Sequence, residues 1–220
     1  MDITSPPIAQ ESDKMTTTTM EAPAEVEDKE YQTRSLVVKR DSWISWNSTI
    51  LDVNMKTSLY RIEGRVRRPQ LTMCLVLEND AAAEPIGDAT FYILTSRTDI
   101  HLHGHSIELT DRGWLKDGFT YTSSTRNGEK MTWQREKGVS DLSRVCLDEK
   151  GLPVARAAFT PGGITKYGTV ELLGKNVTNE GKERDEIVLT ALAMIRKRMV
   201  EYNSASMDYA LSPVDYNCAS

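Results

Sequence analysis

The chain has 220 residues, 39% of them hydrophobic and 7% aromatic, and carries a formal net charge of -5. That length suits one domain with tails, and no apolar run approaches the ~20 residues of a membrane helix, so a soluble globular protein is expected. Residues 1–30 hold eight acids against Lys14 and Lys29, which leaves the remainder close to neutral and gives no overall charge drive toward nucleic acid.

Cys74, Cys146 and Cys218 are widely spaced and form no CxxC pair. Cys74 and Cys146 sit in apolar strand patterns, where a reduced cysteine acts as a small hydrophobe. The N-terminus has neither the apolar core of a signal peptide nor the Arg-rich, acid-poor character of an organelle presequence. The expected compartment is the cytoplasm, with the nucleus as the other possibility.

In chain order, residues 1–32 combine low hydrophobicity, acids and proline, and are predicted to be a disordered acidic tail. One domain follows over 33–203. Its strands are predicted at 35–39, 44–53, 59–66, 71–77, 86–94, 100–109, 130–135, 142–147, 154–159 and 165–173. In the fourth, Leu71, Met73, Leu75 and Leu77 share a face by strict alternation. Asp148-Glu149-Lys150-Gly151 reads as a tight hairpin with glycine free to take a positive φ.

From Asp185 the pattern changes to a run without Pro or Gly, predicted as a helix over 185–203. Acids open it, and Arg196, Lys197 and Arg198 are assigned to its end, where cations complement the helix dipole. The stretch 187–195 is apolar on every side, which calls for surroundings that bury it all round. A sheet wrapped around the helix satisfies this, and a helix on one face of an open sandwich is the alternative. Residues 204–220 are expected to form a flexible tail.

Four segments carry a resemblance. They are Met131-Thr132-Trp133-Gln134-Arg135, the stretch from Val145 through the Asp148-Glu149-Lys150-Gly151 turn to Phe159, Tyr167-Gly168-Thr169-Val170-Glu171-Leu172, and Glu186-Ile187-Val188-Leu189-Thr190-Ala191-Leu192-Ala193. Together they resemble the second half of uncharacterised fungal members of the tubby C-terminal-like superfamily, which also includes the scramblases and the LURP-one-related proteins. The resemblance covers 130–200 well and the earlier strands by pattern only. It implies a closed antiparallel β-barrel of roughly 12 strands with a hydrophobic C-terminal helix through its centre. The signature of tubby proper and the cysteine-rich and calcium-binding segments of a scramblase are absent, so lipid movement and phosphoinositide binding are not carried over.

Two constellations could carry chemistry. His101, His103 and His105 alternate, so one extended strand would point all three to one side with neighbours about 6.8 Å apart, a spacing at which two imidazoles can share an ion. Three ligands on one metal would need a bend at Gly104, and a solvated or hydrogen-bonded polar face is the alternative. Arg61, Arg65, Arg67 and Arg68, with Lys39 and Arg40 upstream, form a basic run. Arg61, Arg65 and Arg67 share a side on which their forks could grip a phosphate or a lipid head group, although Glu63 lies on the same face.

There is no GxSxG, phosphate loop or GxGxxG, no catalytic residue stands out, and no cofactor is expected. The leading expectation is a non-enzymatic binding or scaffold module that contacts an anionic lipid head group or a protein partner. The alternative is a small-molecule-binding protein or accessory enzyme with a site at the barrel rim near the histidine strand.

Overall fold

In a computed structural model of the chain, the structure is described for residues 33–41, 46–53, 57–76, 85–92, 95, 97–113, 117–136, 138, 142–160, 166–174 and 181–211. The expected acidic tail, Trp43, Trp114 and residues 212–220 lie outside the described residues. Twelve strands come first: β1 Thr33–Arg40, β2 Ser48–Asp52, β3 Ser58–Gly64, β4 Leu71–Leu75, β5 Pro85–Phe91 and β6 Arg97–Leu102. Then follow β7 His105–Asp111, β8 Gly118–Thr122, β9 Lys130–Arg135, β10 Ser143–Leu147, β11 Pro153–Phe159 and β12 Lys166–Leu173. A helix, α1, spans Lys182–Leu211.

Every strand pairs antiparallel with its neighbours in sequence, and β1 pairs with β12 to close the barrel. The closing register sets Leu36 opposite Val170 and Arg34 opposite Leu172. Closure removes free sheet edges, and with them the risk of edge-to-edge association. Along each strand alternate residues point inward, which is why Leu36, Ile50, Tyr60, Ile100, Leu109, Trp133 and Val170 are all fully buried.

The helix occupies the interior. It approaches β5 and β6 on one side and β11 and β12 on the other, and these pairs lie opposite each other around the ring. From Arg184 to Met194 every helical side chain is buried. The open-sandwich alternative would have left one helix face wet, so the all-round apolar pattern had the physical cause assigned to it. Burying one Val, Leu, Ile or Met side chain contributes about 1.5–3 kcal/mol, and Ile187, Val188, Leu189, Leu192 and Met194 are each buried here. Thr190, the polar member of the stretch, accepts a hydrogen bond from Trp133 Nε1 at 3.2 Å and donates to the Ile187 carbonyl at 3.0 Å.

Four features differ from the sequence reading. The segment 100–109 is a hairpin rather than one strand, because His103 and Gly104 take positive φ values of 49° and 79° and turn the chain back on itself. The short strand β8, with glycine at its first position, gave no clear alternation and was not foreseen. The helix begins earlier and runs further than 185–203. Consequently Arg196, Lys197 and Arg198 lie near its middle, not at its end, and its last turn contains no basic residue.

Candidate functional site

The alternation of strands gives the barrel two mouths. The helix enters at the mouth that holds the β6–β7 and β8–β9 turns, and leaves at the mouth that holds the β3–β4 turn. Each mouth gathers one of the two constellations singled out in the sequence.

At the entry mouth the hairpin parts the three histidines. His101 is on β6, where its Nδ1 lies 3.0 Å from Ser106 Oγ, and His105 is an exposed residue of β7 paired with Leu102. His103 sits in the turn itself and is placed toward the helix, with Nε2 2.8 Å from Asp185 Oδ2. The same-side arrangement inferred from one extended strand is therefore corrected: the left-handed backbone at His103 and Gly104 breaks the alternation on which it depended. No group of three or more His, Cys, Asp or Glu among the described residues is arranged to hold a metal ion.

The His103–Asp185 contact belongs to a longer chain. Tyr60 O–H donates to Asp185 Oδ1, and Arg184 Nε donates to the Tyr60 oxygen at 2.6 Å. Burial, followed by the charge of Asp185, holds the Tyr60 phenol protonated well above its ordinary range. The Asp185 carboxylate accepts from His103 Nε2, so that nitrogen carries a proton. Beside it, Glu186 accepts from the Ser124 and Thr125 amides at 2.9 and 3.2 Å and from Ser124 Oγ at 2.6 Å. Arg126 pairs with Glu183 at 2.5 Å. These bonds fasten the first turn of α1 to the rim. Only Thr110 and Asp111 of β7 pair with β8, so the wall opens toward this rim, leaving a cleft of about 310 Å³ lined by His103, His105, Ser124, Thr125 and Lys182 among others.

At the exit mouth the predicted arginines are exposed but not equivalent. Arg61 and Arg65 share Glu63, at 3.2 and 2.9 Å. Their guanidinium groups hold the Glu63 carboxyl below the usual range, the Arg65 hydrogen bond contributing most. Arg68 stacks on the Tyr92 ring, 4.5 Å from its centroid. Arg67 makes no ion pair among the described residues. Between Arg65 and Arg67, Val66 is 90% exposed, an apolar tip inside a basic turn.

Directly beneath this turn is a cluster that sequence reasoning missed. Gly64 packs so closely on Trp46 that an added methyl would run into the Trp46 Cβ and backbone, and the Gly64 amide donates to Asn47 Oδ1 at 3.0 Å. Arg196 of the helix lies over the Trp46 ring, 3.2 Å from its centroid. Arg40, at the end of β1, lies over the Tyr167 ring at 4.5 Å. Burial, with the nearby Arg40 charge adding to it, pushes Arg196 down to about 10. On the far side of the helix, Arg198 is over Phe119 and within 3.4 Å of Asp111, and Lys197 Nζ donates to the Thr95 carbonyl at 3.4 Å. The signal that could have exposed this cluster was the lack of any Gly or Pro after Arg198 until Pro213, which argues against a helix end there.

No protein-family model matches the sequence, and no curated protein matches it. Among solved structures, the chain is similar to the X-ray structure of a protein from Arabidopsis thaliana, with 13% identity, coverage of 73% of this chain and 89% of that one, and a TM-score of 0.46.

Proposed function

We propose that the protein is a non-enzymatic binding module of tubby-like fold that meets an anionic lipid surface through the exit mouth. The closed barrel with its internal C-terminal helix supports the superfamily resemblance carried by 130–200. One observation carries the functional reading: Arg65, Arg67 and Arg68 surround a Val66 that is 90% exposed, a pairing of cations with an apolar tip that suits the boundary between head groups and acyl chains. A partner protein with an acidic surface would use the arginines but would leave the apolar tip without a role.

Each basic side chain near an anionic membrane contributes about 1 kcal/mol, so replacing Arg65, Arg67 and Arg68 by Gln together is expected to weaken vesicle partitioning roughly a hundredfold. Flotation with phosphatidylserine vesicles tests this, with phosphatidylcholine vesicles as the neutral control. Equal flotation of the triple variant and the unaltered protein, or no flotation of either, would dispose of the proposal. The cleft beside His103 supports a second reading, a small-molecule site at the rim near the histidines, in which His103, held by Asp185, lines the pocket.

A further inference from the structure

We infer that the cleft at the entry mouth binds a small organic monocarboxylate, with Lys182 and His105 as the groups that hold its carboxylate. The inference deepens the second reading above, a small-molecule site at that rim, and rests on it. It is independent of the membrane reading at the exit mouth.

The barrel wall opens here because β7 and β8 pair only at Thr110 and Asp111, and the cleft has a volume of about 310 Å³. That is about ten times the ~30 Å³ share of one water, so a molecule of about ten non-hydrogen atoms fills it, at the lower end of the range for ligand pockets. Three elements supply its lining: the β6–β7 hairpin, the β8–β9 turn and the start of α1.

Most polar groups of that lining are already engaged within the protein. His103 Nε2 is held by Asp185, and the Ser124 amide, the Ser124 hydroxyl and the Thr125 amide all donate to Glu186. Glu183, the carboxylate of the lining, accepts from Nε and Nη2 of Arg126 at 2.7 and 2.5 Å. Lys182 and His105 are the exceptions. Both are exposed, and neither side chain has a hydrogen-bond or ion-pair partner among the described residues.

These two groups decide the ligand class. Glu183, Asp185 and Glu186, the acids of the same turn of α1, are all taken, so the Lys182 ammonium supplies one uncompensated positive charge. A single carboxylate matches that charge, whereas a phosphate dianion would bring a second negative charge with nothing to meet it. The two oxygens of a carboxylate are enough to accept one hydrogen bond from the ammonium and one from the His105 ring. Leu102 is the apolar residue of the lining and suits a short hydrocarbon body. His103, pinned by Asp185, keeps its part of the wall in place before a ligand arrives, which lowers the cost of binding.

The test reads the imidazoles of the full chain, which has only three histidines. His101 is the internal control, because it lies outside the cleft with its ring against Ser106. Histidine ring protons are followed by NMR at fixed pH and ionic strength as phenylacetate is added, with phenylacetamide as the neutral isostere. His101→Gln and His105→Gln assign the signals. Phenylacetate is expected to shift the His103 and His105 signals saturably and to leave His101 in place, with phenylacetamide bound about tenfold more weakly. Lys182→Met, at an exposed position, should weaken phenylacetate about fivefold and leave phenylacetamide unchanged, while Lys182→Arg keeps most of the affinity. Equal binding of acid and amide, or phenylacetate binding untouched by Lys182→Met, overturns the carboxylate assignment and leaves the rim site standing. Stronger shifts from inorganic phosphate than from phenylacetate overturn it as well. Saturation by neither compound, or an equal drift of all three histidines, sinks the rim site together with the inference.

Discussion

The contact between Gly87 of β5 and Leu189 of the helix offers a direct probe of how tightly the barrel holds α1. A Cβ placed on Gly87 would lie 2.8 Å from Leu189 Cδ2, 2.8 Å from Leu102 Cδ1 and 2.8 Å from the His101 carbonyl oxygen. Two of those neighbours are flexible side-chain ends and one is rigid backbone. Gly87→Ala should therefore cost about 1–3 kcal/mol, as overpacking of a close-packed interior does. Leu189 is fully buried, so Leu189→Ala removes transfer energy and opens a cavity, at about 2–5 kcal/mol. In the double variant the new methyl finds part of its space where the Leu189 side chain was. The combined loss should then fall short of the sum of the single losses by about 1 kcal/mol, within the range for residues in contact. The His101 carbonyl is not relieved, which is why the rescue is partial. Urea unfolding of the four proteins, with equal slopes as a check on two-state behaviour, measures the cycle. Additive losses would refute the claim that Leu189 packs against the inner wall at β5.

Other expectations follow from the same interior. Replacing Thr190 by Val leaves the Trp133 indole N–H buried without an acceptor and should cost about 1–3 kcal/mol in urea unfolding, whereas an unaltered midpoint would mean that this hydrogen bond is not made. Burial pushes the Cys146 thiol well above its ordinary range, so in native protein it should resist iodoacetamide and become alkylated only in denaturant, as peptide mass mapping can show. The hydrogen bond from Arg97, then one from Tyr92, holds the Asp99 carboxyl below its usual range. Its stabilising contribution is thus present above the unfolded carboxyl range near pH 4 and is lost as pH falls through the lowered value. Arg97→Gln should lessen the stability lost between about pH 5 and 3, and an unchanged acid profile would remove Asp99 from the account.

Much of the architecture was legible because it rests on local rules. The hairpin at Asp148 to Gly151 followed from turn chemistry, and the structure has Gly151 at φ 79° with the Leu152 amide donating to Asp148 Oδ1 at 2.8 Å. The apolar faces of 187–195 announced an enclosed helix because no one-sided packing could cover them. The histidine turn was not legible, since His-Gly is an unusual pair for a two-residue hairpin loop that favours Asn-Gly, and alternation on both sides of it imitates one strand. The contact of His103 with Asp185 joins residues far apart in the chain and leaves no trace in spacing. The exit cluster was hidden for a related reason. Arg196 reads as a helix-end cation until the helix is seen to continue, and only closure of β1 on β12 brings Arg40 and Tyr167 to the same mouth.

The central claim is that one mouth of the barrel, and not the other, meets an anionic membrane. Val66 and Leu152, 90% and 57% exposed, are apolar tips on turns at opposite ends of the barrel. The direct measurement attaches an environment-sensitive dye through Val66→Cys or Leu152→Cys, in a Cys218→Ser background, and records its emission as phosphatidylserine vesicles are added. The account predicts a blue shift for the dye at position 66, abolished by high salt, and no shift at position 152. A shift at position 152 alone, or at neither position while the protein remains folded, would contradict it.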